Sequence, residues 1–367
     1  MAAVSPPQPA IVSGEQIVSI RTIDGVQIHQ FLAGEQSTLI WSRDLREVSR
    51  CELTVACQPQ HLLLPDLVPW MHWIDVWDGR GEELYWSGPI QKVTCDWAKM
   101  IITARDTASL YSRTRCPLTK RWEAADPATI ATELWEYLIE IHGLSTKAIE
   151  RANPLGDRFD YRVSKDTKML DAIFDDLVSK GLFWSVVSGV PILGPAGLQP
   201  IVALGEHDFV GGGIVMVRDG AETYNDVLLR GADSLASVRV ERSGLNLQKI
   251  VDVDDMFGVS NAARAANQYV RYTSTIRDSI SLPEGSILHP NVPLTIGQLI
   301  PSTRINIETY GMLFTVELES VEVTLEPGRA EVSVKLESVN DEKPELMKLE
   351  SSSAADDNFD EDVEIPA

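Results

Sequence analysis

The sequence offers few side chains whose type and spacing predict catalysis. Its six histidines are dispersed, and none has a second histidine four residues away, as helical metal ligands would: His29, His61, His72, His142, His207 and His289. The one tight titratable triplet that contains a histidine, Glu206-His207-Asp208, lies between glycines and is more typical of a solvated loop. There is no HExxH, GxSxG or GxxxxGK[ST] motif, and no GxGxxG opens a helix after a strand. The sequence therefore predicts no catalytic, cofactor-binding or metal-binding residues.

Pairs of adjacent carboxylates are the remaining candidates for acid–base chemistry. Asp175-Asp176 and Asp254-Asp255 could be imagined as the two acids of a glycosidase. Adjacent residues on a helix do not face each other, however, and such pairs are common in a chain this acidic. A cell-wall-degrading enzyme is therefore kept as an alternative.

The cysteines favour buried thiols over a zinc site. Cys51, Cys57, Cys95 and Cys116 form no CxxC pair and have no neighbouring histidine.

Tryptophans are concentrated in one part of the chain. Five of the nine fall between Trp70 and Trp97, and several alternate along the strand-like run Val68–Trp77. Sugars stack on aromatic faces, so this cluster suggests a receptor-binding or glycan-binding hairpin. Aromatic cross-strand pairs or a packed barrel interior explain it equally well.

The charge of the chain restricts its partners. With 367 residues and a net charge of −22, the protein is not expected to bind nucleic acid as its primary partner, because no phosphate-neutralising surface is evident. Residues 341–367 hold ten acidic residues and two lysines, which predicts a disordered solubilising tail or a docking strip for a basic partner.

No run of apolar residues is long enough to span a membrane. The N-terminus lacks signal-peptide features, which predicts synthesis in a cytoplasm.

Two stretches predict long β-hairpins. Tyr85–Arg105 alternates around a short polar link and is followed by Asp106 at an N-cap position. Phe314–Leu336 alternates around the turn Glu326–Arg329. The matching layout predicts two related β-modules, with Trp86–Ala104 and Leu318–Leu336 superimposing as equivalent strands.

Between these modules the apolar residues recur at the 3.6-residue spacing of a helix. Asp126-Pro127 predicts a helix start, and Gly143 its end. A second helix is predicted from Asp166 to Gly181. Its apolar face (Leu170, Ile173, Phe174, Leu177) is expected to pack on a following strand through Phe183 and Val187.

Several short motifs carry a family resemblance. They are Trp86–Ile90 with Ile102–Asp106, Asp166–Leu193, His289-Pro290, Gly297–Pro301 and Arg304–Ile307. Together they resemble the minor tail or baseplate-hub proteins of siphophages, particularly those of actinobacterial hosts. Ser302 replaces the glycine that usually follows the proline of one motif. No lysozyme-like or peptidase domain follows the second module, which puts a wall-degrading role in doubt.

The resemblance implies a mainly β fold with α/β insertions: two tail-tube-like β-barrels joined by a small α/β domain. The expected boundaries are an arm (1–14), a first barrel (15–117), an α/β middle domain (118–215), a second barrel (216–340, with a helical insertion at 250–276) and the acidic tail (341–367).

The resemblance also implies a function. The chain would be the structural hub of a phage tail tip, assembled in the host cytoplasm, adapting the six-fold tail tube to a three-fold tip. Its expected partners are further copies in a homotrimer, distal tail or tail-tube proteins, the tape measure protein, other tip or fibre proteins, and DNA only in transit.

Overall fold

The computed structural model describes residues 15–34, 37–56, 67–156, 158–211, 213–231, 234–241, 245–253, 258–274, 276–283, 286–339 and 348–353. Strands predominate over helices within these ranges, which confirms the predicted mainly β fold with α/β elements.

The elements follow one another in three groups. The first group is β1 (Gln16–Thr22), β2 (Gln27–Ala33), β3 (Ser37–Asp44), β4 (Arg50–Ala56), β5 (His72–Asp78), β6 (Leu84–Cys95), β7 (Lys99–Arg105) and a 3₁₀ helix, Thr107–Arg113. The second is β8 (Lys120–Ala125), α1 (Pro127–His142), β9 (Ile149–Glu150), β10 (Phe159–Val163), α2 (Leu170–Ser179), β11 (Trp184–Val187) and β12 (Val190–Leu193). The third is β13 (Ala203–Gly205), β14 (Phe209–Val210), β15 (Val215–Asp219), β16 (Asp226–Gly231), β17 (Ser234–Arg239), β18 (Gln248–Val253), α3 (Val259–Thr273), β19 (Arg277–Ser281), β20 (Ser286–Leu288), β21 (Arg304–Thr309), β22 (Met312–Glu326), β23 (Arg329–Ser338) and β24 (Lys348–Ser353).

One large sheet contains strands from both ends of the chain. Its strand order is β14-β20-β23-β22-β3-β4-β7-β6-β5-β1-β2, with β21 attached to β22 and β13 to β21. The junction is the antiparallel pair β22–β3, where Val323 lies opposite Trp41. Alternate residues of these strands are buried in a common core, as the period of two requires. Among the described residues the pairing follows an open path, and neither predicted barrel closes within it.

The two predicted hairpins are both present and share one layout. Strand β6 pairs with β5 along its first half and with β7 along its second, and the register shifts between Ile90 and Lys92. Strand β22 pairs with β21 and then with β23, and the register shifts between Leu318 and Ser320. A bulge at the change of partner bends each long strand. Their superposition as equivalent strands stays a prediction.

A glycine permits the bend in β6. A Cβ atom added at Gly88 would lie 2.1 Å from the backbone oxygen of Arg105, at the end of β7. Any larger residue would push these two strands apart.

The middle module has a core of its own, and its first helix is as predicted. The Asp126 carboxylate accepts a hydrogen bond from the Ala128 amide, Pro127 occupies the first turn, and Gly143 ends α1 in the left-handed conformation. The second helix begins at Leu170, and the predicted start at Asp166 was wrong. Asp166 has a φ of 60°, which a right-handed helix cannot contain.

The partner face predicted for α2 was also wrong, by one residue. Phe174 packs against Trp184, and Val186 belongs to the same core, whereas Phe183 and Val187 lie on the other parity of the strand. Side chains alternate between the faces of a strand, so a shift of one residue exchanges them. The predicted role of Gly181 is confirmed: it follows the last helical residues with φ 93°, its amide donates to Val178 and that of Leu182 donates to Leu177.

A smaller sheet lies apart from the large one. Its strand order is β18-β16-β17-β24, and α3 packs on it through Ala262, Ala266 and Val270. The helical insertion expected at 250–276 contains α3 over Val259–Thr273, whereas its first residues belong to strand β18. The strands around Val227 and Val238, assigned from the sequence to the second barrel, lie in this separate sheet. Of the predicted acidic tail, residues 348–353 form β24, which pairs with β17.

Candidate functional site

The titratable triplet serves the fold. Glu206 Oε1 accepts a hydrogen bond from the Thr309 hydroxyl on β21, and Asp208 Oδ2 accepts one from the Gly205 amide at 2.8 Å. His207 is 86% exposed, and its Nε2 lies 3.7 Å from Asp208. Both carboxylates have structural partners and the imidazole faces solvent, so the three side chains do not converge on a common site.

The carboxylate pair on α2 is likewise divided. Asp175 is exposed, whereas Asp176 accepts a hydrogen bond from the buried ammonium of Lys180. Asp254-Asp255 lies outside the described residues. Among the residues that the structure describes, no three His, Cys, Asp or Glu side chains are grouped as metal ligands would be.

Burial raises the thiol pKa at Cys51 and Cys116, which opposes formation of a reactive thiolate. Cys57 lies outside the described residues.

None of the described helices is long and apolar enough to cross a membrane.

The five tryptophans of the predicted cluster lie in different environments. Trp73 and Trp86 are buried, and Trp77 donates from its indole nitrogen to Ser19 Oγ at 3.1 Å. Trp70 is partly exposed, with the Arg113 guanidinium 5.7 Å from its ring centroid. Only Trp97 is almost wholly exposed, at 97%. The five rings therefore do not form one stacking platform.

The tip of the β6–β7 hairpin presents Trp97 on a tight turn. Asp96 Oδ1 accepts hydrogen bonds from the amides of Ala98 (2.7 Å) and Lys99 (2.8 Å), and the Asp96 amide donates to the Lys99 carbonyl. These backbone donors lower the pKa of the Asp96 carboxyl. The turn is thus fixed by local bonds while its indole ring contacts solvent.

Two groups of exposed apolar side chains flank the large sheet. The first, called here the N-terminal apolar surface, is Ile23, Val26, Val68, Trp70 and Met71. Two backbone bonds join these segments, from Ile23 to Met71 and from Thr22 to Val26.

The second group, the C-terminal apolar surface, is Val215, Met216, Tyr310, Met312 and Leu313. The Tyr310 hydroxyl donates to the Ile214 carbonyl at 2.7 Å, which holds the β21–β22 turn against β15. Grouped exposed apolar side chains are typical of surfaces that contact another protein.

A buried arginine joins three segments around the core of the large sheet. The Arg43 guanidinium donates to the carbonyls of Tyr85 (2.7 Å), Ile296 (2.8 Å) and Leu299 (3.2 Å). Desolvation lowers its pKa to about 10, so it remains protonated at neutral pH. It joins β3, β6 and the turn before β21. Sequence reasoning missed it, although Arg43 shares its strand parity with the buried Leu39 and Trp41.

A buried carboxylate fixes the exit from β7. Asp106 is the predicted N-cap of the 3₁₀ helix and accepts from the amides of Ala108 (2.9 Å) and Ser49 (2.8 Å). Burial outweighs these donors and raises its pKa to about 7.

Comparisons with known proteins show which folds this structure resembles. No protein-family model and no curated protein matches the sequence. A tail protein from Neisseria meningitidis MC58 is similar in structure, with a TM-score of 0.61 at 14% identity over 89% of this chain and 97% of that one. The 43 kDa tail protein of prophage MuSo2 from Shewanella oneidensis has a TM-score of 0.59 at 12% identity over 89% and 98%. The chain has a phage tail-protein fold. Prophage tail protein gp18 from Listeria monocytogenes EGD-e agrees, with a TM-score of 0.53 at 12% identity over 89% and 95%.

Proposed function

We propose that this chain is the structural hub of a phage tail tip, acting by contact geometry rather than by catalysis. The observation that carries the proposal is the shared fold, which covers 89% of this chain and 95–98% of three phage tail proteins. The described candidates for acid–base chemistry are occupied by structural partners or separated, which is consistent with a structural role.

The internal likeness of the two long hairpins supports a change of symmetry. In each, one bulged strand pairs first with the strand before it and then with the strand after it. Three copies of a chain with two such modules would present six similar units, which can meet a six-fold tail tube while the chain itself obeys three-fold symmetry. In the proposed hub each module would complete its barrel in the assembled ring.

The N-terminal and C-terminal apolar surfaces are the proposed contacts with further copies, with distal tail or tail-tube proteins and with other tip or fibre proteins. The ring would line a channel for the tape measure protein and, during infection, for DNA. A negatively charged lumen would repel phosphates and limit adhesion of the passing DNA.

Cryo-EM of the assembled tail tip tests this proposal directly. We expect three copies, located at the tail tip of the virion, with the two modules alternating around the channel. Six copies in a true six-fold ring would remove the symmetry-adapting role, and peptidoglycan cleavage by the purified chain would favour the enzyme alternative.

The exposure of Trp97 favours one second candidate, a receptor-binding or glycan-binding hairpin. In that case the purified chain should be retained on host cell walls, and Trp97→Ala should abolish retention without changing stability. Retention that is unchanged in Trp97→Ala, or absent in the parent chain, would contradict this role. Tyr137→Ala, at a partly exposed aromatic residue on α1, is the matched control.

A further inference from the structure

The middle module carries a basic surface within this acidic chain. Residues 113–122 and 161–170 together contain seven lysines and arginines and one aspartate, a net charge of +6, whereas the whole chain carries −22. The seven cations are Arg113, Arg115, Lys120, Arg121, Arg162, Lys165 and Lys168. These two segments are called here the basic ribbon.

Backbone pairing joins the two segments near both of their ends. The Leu170 amide donates to Thr114, and the Cys116 amide donates to Lys168, both at 2.9 Å. Further along, Lys120 lies opposite Val163, and Trp122 opposite Tyr161. Cations that are about fifty residues apart in sequence therefore occupy one antiparallel ribbon.

The charge of the ribbon is only partly neutralised. Arg121 lies directly opposite Arg162, both are exposed, and like charges in that position destabilise a sheet. The Arg121 guanidinium is 3.7 Å from Glu123, and Lys120 is bound to Glu133 on α1. Within the described residues, no ion pair is formed by Arg162 or by Lys165, the next cation along this edge. A surface of this kind favours an anionic occupant.

A strongly anionic segment of the same chain follows β24. Residues 354–367 lie outside the described residues and contain six carboxylates without a lysine or arginine. They are Asp356, Asp357, Asp360, Glu361, Asp362 and Glu364.

The last described residue, Ser353, lies at the end of the small sheet that adjoins the ribbon. Ser353 pairs with Ser234 at the end of the sheet where β18 leads into α3. Asn261, in the first turn of α3, donates to the Asp160 carbonyl at 3.1 Å and accepts from the Asp160 amide at 3.2 Å. Arg162 is two residues further along that strand, and fourteen residues can extend over about 46–50 Å.

We propose that the acidic segment 354–367 docks on the basic ribbon of its own chain. A single exposed ion pair contributes little to binding, but tethering gives a segment an effective concentration in the roughly millimolar range. Six carboxylates facing the ribbon would relieve the repulsion between Arg121 and Arg162. The proposal does not depend on the hub function.

Carbodiimide cross-linking of the full-length chain tests the docking, because it joins carboxylates to lysine amines that are in contact. At low ionic strength we expect cross-links from the segment to Lys165 or Lys168. They should decrease several-fold in roughly 1 M salt, where the Debye length is about 3 Å. They should also decrease in the variant Arg121→Gln/Arg162→Gln. The control Arg80→Gln/Arg329→Gln removes two exposed arginines elsewhere and should leave them unchanged.

Replacing the six carboxylates by their amides provides a second variant that leaves every described residue intact. It should abolish the cross-links and increase binding of the ribbon to a short DNA duplex, measured by fluorescence anisotropy. Three results would overturn the proposal: no cross-link between segment and ribbon, cross-links only between isotopically distinct copies, or detectable DNA binding by the parent chain that is as tight as that of the amide variant. The second would assign the ribbon to a neighbouring copy, and the third to nucleic acid.

Discussion

Buried ionisable side chains link separate segments of this fold, and Asp106 gives its stability a dependence on pH. Its pKa is about 7 in the folded chain and should return to the ordinary aspartate value on unfolding. Between these values the folded state keeps a proton that the unfolded state has released, so this group adds stability as the pH falls from 7 toward 4.

Asp106→Asn removes that titration while keeping one acceptor oxygen for the two amide donors. The free energy of unfolding of the parent chain, relative to the variant, should therefore rise as the pH is lowered, by at most about 1.4 kcal/mol per pH unit. Urea unfolding at several pH values between 5 and 8 measures this difference. A difference that is constant with pH would show that the carboxylate is ionised throughout.

Arg43 gives a second prediction at the residue scale. Arg43→Met leaves the carbonyls of Tyr85, Ile296 and Leu299 without their donor, and each bond to a charged group contributes about 1.5–3 kcal/mol. We expect a loss of several kcal/mol in unfolding free energy. Arg43→Lys keeps the charge but cannot reach three carbonyls, so it should be intermediate. Equal stability of all three chains would contradict the role assigned to this side chain.

At the scale of elements, α2 is anchored by one aromatic side chain, which contacts both Tyr111 and Trp184. Phe174 is buried and its ring centroid lies 4.1 Å from that of Tyr111. Phe174→Ala should cost about 3–5 kcal/mol of unfolding free energy because it leaves a cavity. Asp175→Ala, on the exposed face of the same helix, should change it by less than about 0.5 kcal/mol. A loss below about 1 kcal/mol for Phe174→Ala would mean that the helix is not packed as described.

Strand β6 offers a test of backbone proximity. A methyl group at Gly88 would overlap the Arg105 carbonyl, so Gly88→Ala should cost about 1–3 kcal/mol or more, as overpacking does. Gly197→Ala is the matched control, since nothing lies within 4 Å of its added Cβ. Thermal unfolding of both variants should show a lowered midpoint only for the first.

Local sequence signals predicted where these elements begin and end better than which of their side chains face the core. The caps of α1 and the Gly181 ending of α2 follow from residue types with fixed backbone preferences. The partner of Phe174 could not be predicted in this way, because β11 has only four residues and carries apolar side chains on both of its faces. A period of two cannot choose a face when both are apolar.

At the scale of the whole molecule, the sequence indicated the phage tail fold but not the sheet that unites its ends. Nothing local in Trp41 or Val323 identifies the other as its neighbour. The exposed surfaces were also missed, because alternation marks which residues share a face but not whether a neighbour covers that face. Trp97 was counted within a cluster, and its isolation at the hairpin tip required the strand register.

The C-terminal apolar surface gives a prediction at this scale. Leu313→Glu should leave the free energy of unfolding within about 0.5 kcal/mol of the parent chain, because Leu313 is exposed. Incorporation of the variant into tail tips should nevertheless fall sharply. Leu245→Glu replaces a comparably exposed leucine in the segment that precedes β18 and should be incorporated normally. Normal incorporation of Leu313→Glu would exclude this surface from assembly.

The β22–β3 pair also determines how the nascent chain can fold. Its partners are separated by roughly 280 residues, which a ribosome adds in roughly 15–60 s at typical rates. Throughout that interval the edge of β3 lacks its mate, while the middle module, built from one contiguous stretch, can already condense. Strand β3 therefore keeps an unpaired edge until β22 has been synthesised. Joining the two ends of the chain in one sheet is expected to slow folding and to expose an edge that chaperones would have to protect.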